Sequence, residues 1–131
     1  MPSTDKVSDM LTRIRNAIMA GQKTVSFPAS SLKQEICRIL QEEKFIRKYV
    51  VVKEGPQGTV KVLLKYKGGE SVITGLERVS KPGRRIYCKA KAVPRFLSGL
   101  GLTILSTPLG VVTERVAKAK NVGGEILCKV W

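Results

Sequence analysis

The 131-residue sequence predicts an α+β protein of two small α/β domains: an α-β-α-β-β unit over residues 1–67 and a mostly-β domain with one short helix over 68–131. Three observations carry that reading. Apolar residues recur at helical spacing twice near the N-terminus, and short runs rich in Val, Ile, Leu and aromatics follow at strand length. The polar, glycine-rich Lys67-Gly-Gly-Glu70 then separates two apolar-patterned stretches. A chain of this length buries one ordinary core or two small ones.

Val7, Met10, Leu11, Ile14, Ala17 and Ile18 form the apolar stripe of an amphipathic helix, which Thr4 or Asp5 is placed to cap and Gly21 to end. Residues 24–27 alternate as a short strand before Pro28. Ser31 with Gln34 makes a capping-box pattern ahead of Leu32, Ile36, Ile39 and Leu40, predicting a second helix to about residue 44. Residues 45–53 and 59–66 read as strands joined through Glu54-Gly-Pro-Gln-Gly58, whose Gly and Pro suit a hairpin connection. Beyond the boundary, 71–79 and 86–90 read as strands flanking Ser80-Lys-Pro-Gly-Arg-Arg85, a turn that carries three cations. Residues 94–97 suit a helical turn, 102–105 a buried strand, 114–120 a short helix capped by Thr113, and 125–130 the closing strand.

Lys and Arg number 24 against 10 Asp and Glu, a net charge of +14 in a chain that is 43% hydrophobic and so composed to fold. A soluble domain does well with a net charge of roughly 2 to 8, so the excess points to a polyanionic partner. Each phosphate that Lys or Arg neutralises releases condensed counterions, a favourable term that needs no reading of sequence. Nucleic acid leads the candidates and an anionic membrane surface follows. No apolar run approaches the roughly 20 residues of a membrane span, and the first residues lack the pattern of a secretory signal, so the protein is expected in the cytosol.

Catalysis finds little support. The chain has no histidine, which removes the commonest general base and metal ligand. Cys37, Cys88 and Cys128 are odd in number and far apart, fit neither a disulfide framework nor a zinc site, and read as small buried residues. Gly99-Leu-Gly101 begins a dinucleotide fingerprint, but Ile104 stands where its third Gly belongs, and no Gly-Lys-Ser/Thr or Gly-x-Ser-x-Gly occurs. The carboxylates are scattered, unlike those of a two-metal nuclease. No metal, cofactor or small-molecule substrate is expected.

The candidate surfaces are basic and hydroxylated. Lys6, Arg13 and Arg15 lie off the stripe of the first helix and Lys33 and Arg38 off that of the second, where they either solvate a face or meet phosphate. Gly99 to Gly110 combines glycines, which admit a partner close to the backbone, with the hydroxyls of Ser106 and Thr107; the same residues also suit a plain turn between two strands. Tyr87, beside the basic turn of Lys81, Arg84 and Arg85, serves either as a stacking ring or as an ordinary strand tyrosine. A DNA-binding protein would use the same charge, but no recognition helix with base-reading polar residues stands out.

Six separated segments then carry a resemblance: Asp9-Met-Leu-Thr-Arg-Ile-Arg-Asn-Ala17, Pro28-Ala-Ser-Ser-Leu-Lys33, Arg78-Val-Ser-Lys-Pro-Gly-Arg-Arg-Ile-Tyr87, Gly99-Leu-Gly101, Ser106-Thr107 with Gly110, and Gly123-Gly-Glu-Ile-Leu-Cys128. In order and from end to end, the chain resembles bacterial-type small ribosomal subunit protein eight. The resemblance implies a non-catalytic, primary rRNA-binding protein that docks on the central domain of small-subunit rRNA and helps to organise the platform, with the fifth and twelfth proteins of the subunit as neighbours. It also implies translational repression through a messenger that mimics the rRNA stem, and it fits a bacterial or an organellar ribosome. By that resemblance the C-terminal domain sets Ser106, Thr107, Gly110, Tyr87, Gly124 and Glu125 against an irregular stem; the charge of the nearby basic turn adds Lys81, Arg84 and Arg85 as candidate contacts. The N-terminal domain clamps the backbone nearby with Thr4, Thr12, Arg13, Arg15, Asn16, Ser31 and Lys33. Where the family loop usually reads Ser-Thr-Ser-Lys-Gly, this chain has Pro108 and Leu109 in place of the second Ser and the Lys, losing a hydroxyl, a backbone N–H and a charge.

Overall fold

In the computed structural model, which describes residues 5–92 and 101–131, helix α1 (Lys6–Met19) buries Val7, Met10, Leu11, Ile14 and Ala17 as its periodicity requires. The chain leaves α1 through Gly21 at φ 68, a left-handed conformation that glycine adopts without cost, and the N–H groups of Gly21 and Gln22 return to the carbonyls of Ile18 and Ala17. Strand β1 (Thr24–Pro28) follows, then α2 (Ser31–Glu42). The cap of α2 sits one residue earlier than the capping-box pattern placed it. Ser30, in extended conformation, accepts the Lys33 N–H on its hydroxyl at 3.2 Å. The helix ends before residue 44 because Lys44 itself turns left-handed at φ 66.

Strands β2 (Ile46–Val52) and β3 (Thr59–Leu64) complete an antiparallel sheet in the order β1-β3-β2. Alternation along β3 buries Val60, Val62 and Leu64 with Phe27 and Ile46, each worth about 1.5–3 kcal/mol relative to exposure. Lys67-Gly-Gly-Glu70, read as a domain boundary, is a tight hairpin of β4 (Tyr66–Lys67) and β5 (Glu70–Ser71), with Gly68 and Gly69 at φ 62 and 81. These elements belong to one compact unit, Val7–Thr74.

The second unit is Gly75–Trp131 with Asp5 and Lys6. Its elements are β6 (Leu76–Arg78), β7 (Tyr87–Cys88), a 3-10 turn at Ala90–Ala92, β8 (Leu102–Thr107), β9 (Gly110–Thr113), α3 (Glu114–Ala119) and β10 (Gly124–Val130). The sheet is antiparallel in the order β6-β10-β8-β9, with β7 also pairing β10. The strand expected over 71–79 is broken into β5 and β6, that over 86–90 shrinks to β7, and β9 is an addition; the expected turn at 94–97 lies outside the described residues. Thr113 caps α3 through the Val116 N–H at 3.3 Å, as its position implies.

Polar groups tie this unit together. The Arg78 guanidinium, 8% exposed, donates to both Asp5 oxygens at 3.1 Å and to the Leu127 carbonyl at 2.7 Å. Buried Ser80 accepts the Ile86 N–H at 2.9 Å and donates to the Ile86 carbonyl at 3.2 Å, closing the neck of the basic turn. Gly75 and Trp131 exchange both backbone hydrogen bonds, and a Cβ at Gly75 would fall 2.3 Å from the Trp131 ring. Cys37 and Cys128 are buried as expected, and burial pushes each thiol up to about 12; Cys88 is only half-buried.

Candidate functional site

Three strands of the C-terminal sheet bring Tyr87, Glu125 and Ser106 side by side, because β10 pairs Glu125 with Tyr87 on one edge and with Ser106 on the other. Their chain neighbours Leu105 and Ile126 turn the opposite way into a cluster with Val79, Ile86 and Cys88, so the alternation that fills the core also aims these residues outward. Tyr87 leaves 68% of its surface exposed. Beside it runs an open groove of about 800 Å³, whose lining includes Tyr87, Ser106, Thr107, Pro108, Gly124 and Glu125.

Two glycines set its depth. A Cβ at Gly124 would lie 2.0 Å from the Ser106 carbonyl oxygen, and one at Gly123 would lie 2.3 Å from that of Cys88, so only glycine lets β10 reach its neighbours here. Thr107 is committed to the fold. Its hydroxyl donates to the Gly110 carbonyl at 2.8 Å and accepts the Leu109 N–H at 3.1 Å, pinning the β8–β9 turn in which Gly110 takes φ 110. Pro108 and Leu109 are the turn itself, with Leu109 61% exposed. The loop is therefore a turn between two strands, and Ser106, Thr107 and Pro108 line the groove.

The basic turn divides. Arg85 pairs with Glu125 at 2.9 Å, and that carboxylate raises the guanidinium above its ordinary value. Lys81 and Arg84 close the turn through reciprocal backbone hydrogen bonds and face a separate, smaller pocket with Glu77 and Lys129. Sequence reasoning missed Lys89, Lys91 and Asn121, all exposed along the groove. The alternating cations after Tyr87 and an Asn at the end of a short helix were the available signals.

In the N-terminal unit, Thr12, Arg15 and Asn16 are exposed at spacings of three and four residues, which put them on one face of α1. Arg13 turns toward Asp9 at 3.2 Å and the Ser26 carbonyl at 3.3 Å, and Ser31 is exposed at the start of α2. Lys33 departs from its expected place off the apolar stripe. It is 3% exposed, its ammonium donating to the Pro28 carbonyl at 2.6 Å and sitting 5.7 Å from the centre of the Phe27 ring. An aliphatic stem long enough to cross the core edge and reach a buried carbonyl explains this placement. Thr4 and the Gly99 part of the glycine motif lie outside the described residues.

Among the described residues no group of His, Cys, Asp and Glu is arranged to hold a metal, and no helix is long and apolar enough to cross a membrane. Comparison with known proteins is uniform. Residues 5–131 match the family described as Ribosomal protein S8. The chain is similar to the protein called small ribosomal subunit protein uS8 in Clostridioides difficile (strain 630), 50% identical over 132 aligned positions that cover all of both chains. The proteins of that name in Limosilactobacillus fermentum and Rubrobacter xylanophilus are each 52% identical with the same full coverage.

Proposed function

The chain belongs to the ribosomal protein S8 family, and from that premise we propose that its C-terminal groove recognises an irregular stem in the central domain of small-subunit rRNA. Membership makes it a structural component of the small ribosomal subunit and not an enzyme. The observation that supports the finer reading is the groove itself: an exposed tyrosine ring, a serine hydroxyl, glycine backbone and two lysines gathered in a chain of net charge +14. The deep major groove of A-form RNA excludes side chains, so specific readers work on the shallow minor groove, 2′-hydroxyls and unstacked bases, which small hydroxylated surfaces fit.

The exposed Thr12, Arg15, Asn16 and Ser31 supply backbone contacts that position the RNA without reading it. Docking early, the protein organises the platform with the fifth and twelfth proteins of a cytoplasmic, bacterial ribosome beside it. A messenger stem of the same shape would occupy the same groove, which makes translational repression a second use of one surface.

The test is a titration against a bulged stem-loop from that rRNA domain, with a perfectly paired stem as competitor, across a salt series. The bulged stem is expected to win at every salt while both affinities fall as salt rises. Equal binding of the two stems with joint release would reduce the interaction to generic charge and overturn the reading.

A further inference from the structure

We propose that Asn121 is a specificity-determining residue of the groove, its carboxamide hydrogen-bonding the edge of an unpaired RNA base that stacks on Tyr87. The inference rests on the RNA reading above and follows from asking which polar groups in the groove are still available to a base. The Thr107 hydroxyl is spent on Gly110 and Leu109, Glu125 pairs with Arg85 through one oxygen and as a carboxylate has no donor, Pro108 has no donor, and Gly123 and Gly124 have no side chain. Lys89 and Lys91 are point charges, suited to phosphate rather than to a base edge. Among the described residues that leaves Ser106 and Asn121 in the groove that Tyr87 also lines, and the Asn121 carboxamide makes no hydrogen bond within them.

A carboxamide presents a donor and an acceptor side by side, the pattern that reads a base edge bidentately. Its position is fixed by the backbone. Asn121 follows α3 at φ 54, where its N–H returns to the Lys118 carbonyl at 3.2 Å and the next N–H to that of Ala117 at 2.9 Å. Left-handed conformation is easiest for glycine, so the helix end alone does not require a side chain here. Asn is the residue that makes this turn while keeping a carboxamide in the groove.

The same backbone makes Asn121→Gly a clean probe, since glycine takes φ 54 without strain. Asn121→Asp is the second variant: it tolerates the turn and replaces the amide donor by a carboxylate. Both are titrated as full chains against the bulged stem-loop and the fully paired stem at several salt concentrations, with Lys91→Gln as a contrast. The preference of each Asn121 variant for the bulged stem is expected to drop about tenfold, the value of one lost hydrogen bond. For Asn121→Gly the slope of log affinity against log salt stays as in the wild type, whereas Lys91→Gln lowers that slope by about one and leaves the preference intact. A glycine variant that keeps the wild-type preference, or loses affinity equally for both stems, overturns the role of Asn121 while the RNA reading stands. A wild-type protein with no preference overturns both.

Discussion

Thr107 shows how one residue serves the fold and the surface at once. Its hydroxyl holds the β8–β9 turn from both sides, so removing it loosens the loop that lines the groove before any RNA arrives. Thr107→Ala is expected to lower the stability of the C-terminal unit by about 1 kcal/mol and to weaken binding of the bulged stem by about 1–3 kcal/mol, with Thr107→Ser recovering most of both. Denaturant unfolding and the stem titration measure the two effects. Lys33 makes the opposite case, a cation whose charge is turned inward. Lys33→Met leaves the Pro28 carbonyl without its donor, so it is expected to cost the N-terminal unit about 1–3 kcal/mol while the salt slope of RNA binding stays unchanged. A reduced slope would return Lys33 to the phosphate contacts. The buried thiols give a pH signature. Cys37 and Cys128 sit at about 12 against an ordinary 9.0, so between those values the unfolded chain has already lost protons that the folded chain keeps. Stability is therefore unaffected by them below about pH 9 and falls as pH rises above it, by about 1.4 kcal/mol per pH unit for each thiol. Equilibrium unfolding at pH 8 to 10.5 should show that decline, and the chain with Cys37→Ala and Cys128→Ala should show less of it.

Among the elements, β10 decides the architecture of the C-terminal unit, since it pairs β6, β7 and β8 and begins at the close approach of Gly123 and Gly124. Gly124→Ala pushes a methyl against the Ser106 carbonyl, so β8 and β10 must part where the groove begins. The expected cost is about 1–3 kcal/mol in thermal or denaturant unfolding, with a parallel loss of RNA preference. How far such elements were legible depended on the reach of their causes. Helix α1, its Gly21 stop, the Thr113 cap and strands β2 and β3 follow from local periodicity and turn chemistry, and they stand where the sequence placed them within a residue or two. The cap of α2 slipped by one because Ser30 and Ser31 are chemically equivalent candidates, and only the extended backbone at Ser30 selects it. Strand β9 escaped notice because four residues after a tight turn carry too short a pattern, and its pairing with β8 is what defines it. The hairpin at Gly68-Gly69 reads in sequence as a domain boundary because glycine marks tight turns and boundaries alike.

For the whole molecule, the candidate site was legible as a set of residue types but not as a constellation. Tyr87, Ser106, Gly124 and Glu125 converge because three strands align, a register that no local spacing announces. The separation of Arg85 from Lys81 and Arg84, and the inward turn of Lys33, were equally hidden, since all these cations look alike in sequence. The N-terminal anchor of the second unit is a tertiary feature too. Arg78→Met takes the guanidinium away from the Asp5 carboxylate and the Leu127 carbonyl, and is expected to destabilise that unit by about 3–5 kcal/mol, read as a shift of its unfolding midpoint. The pairing of Gly75 with Trp131 supplies the means of seeing this. The chain has a single tryptophan, clamped by two backbone hydrogen bonds in the C-terminal unit, whereas α1 and α2 lie in the N-terminal unit. Indole fluorescence thus reports one half of the protein and the helical circular-dichroism band mainly the other, so a single unlabelled sample carries two separate optical channels for following which half gives way first.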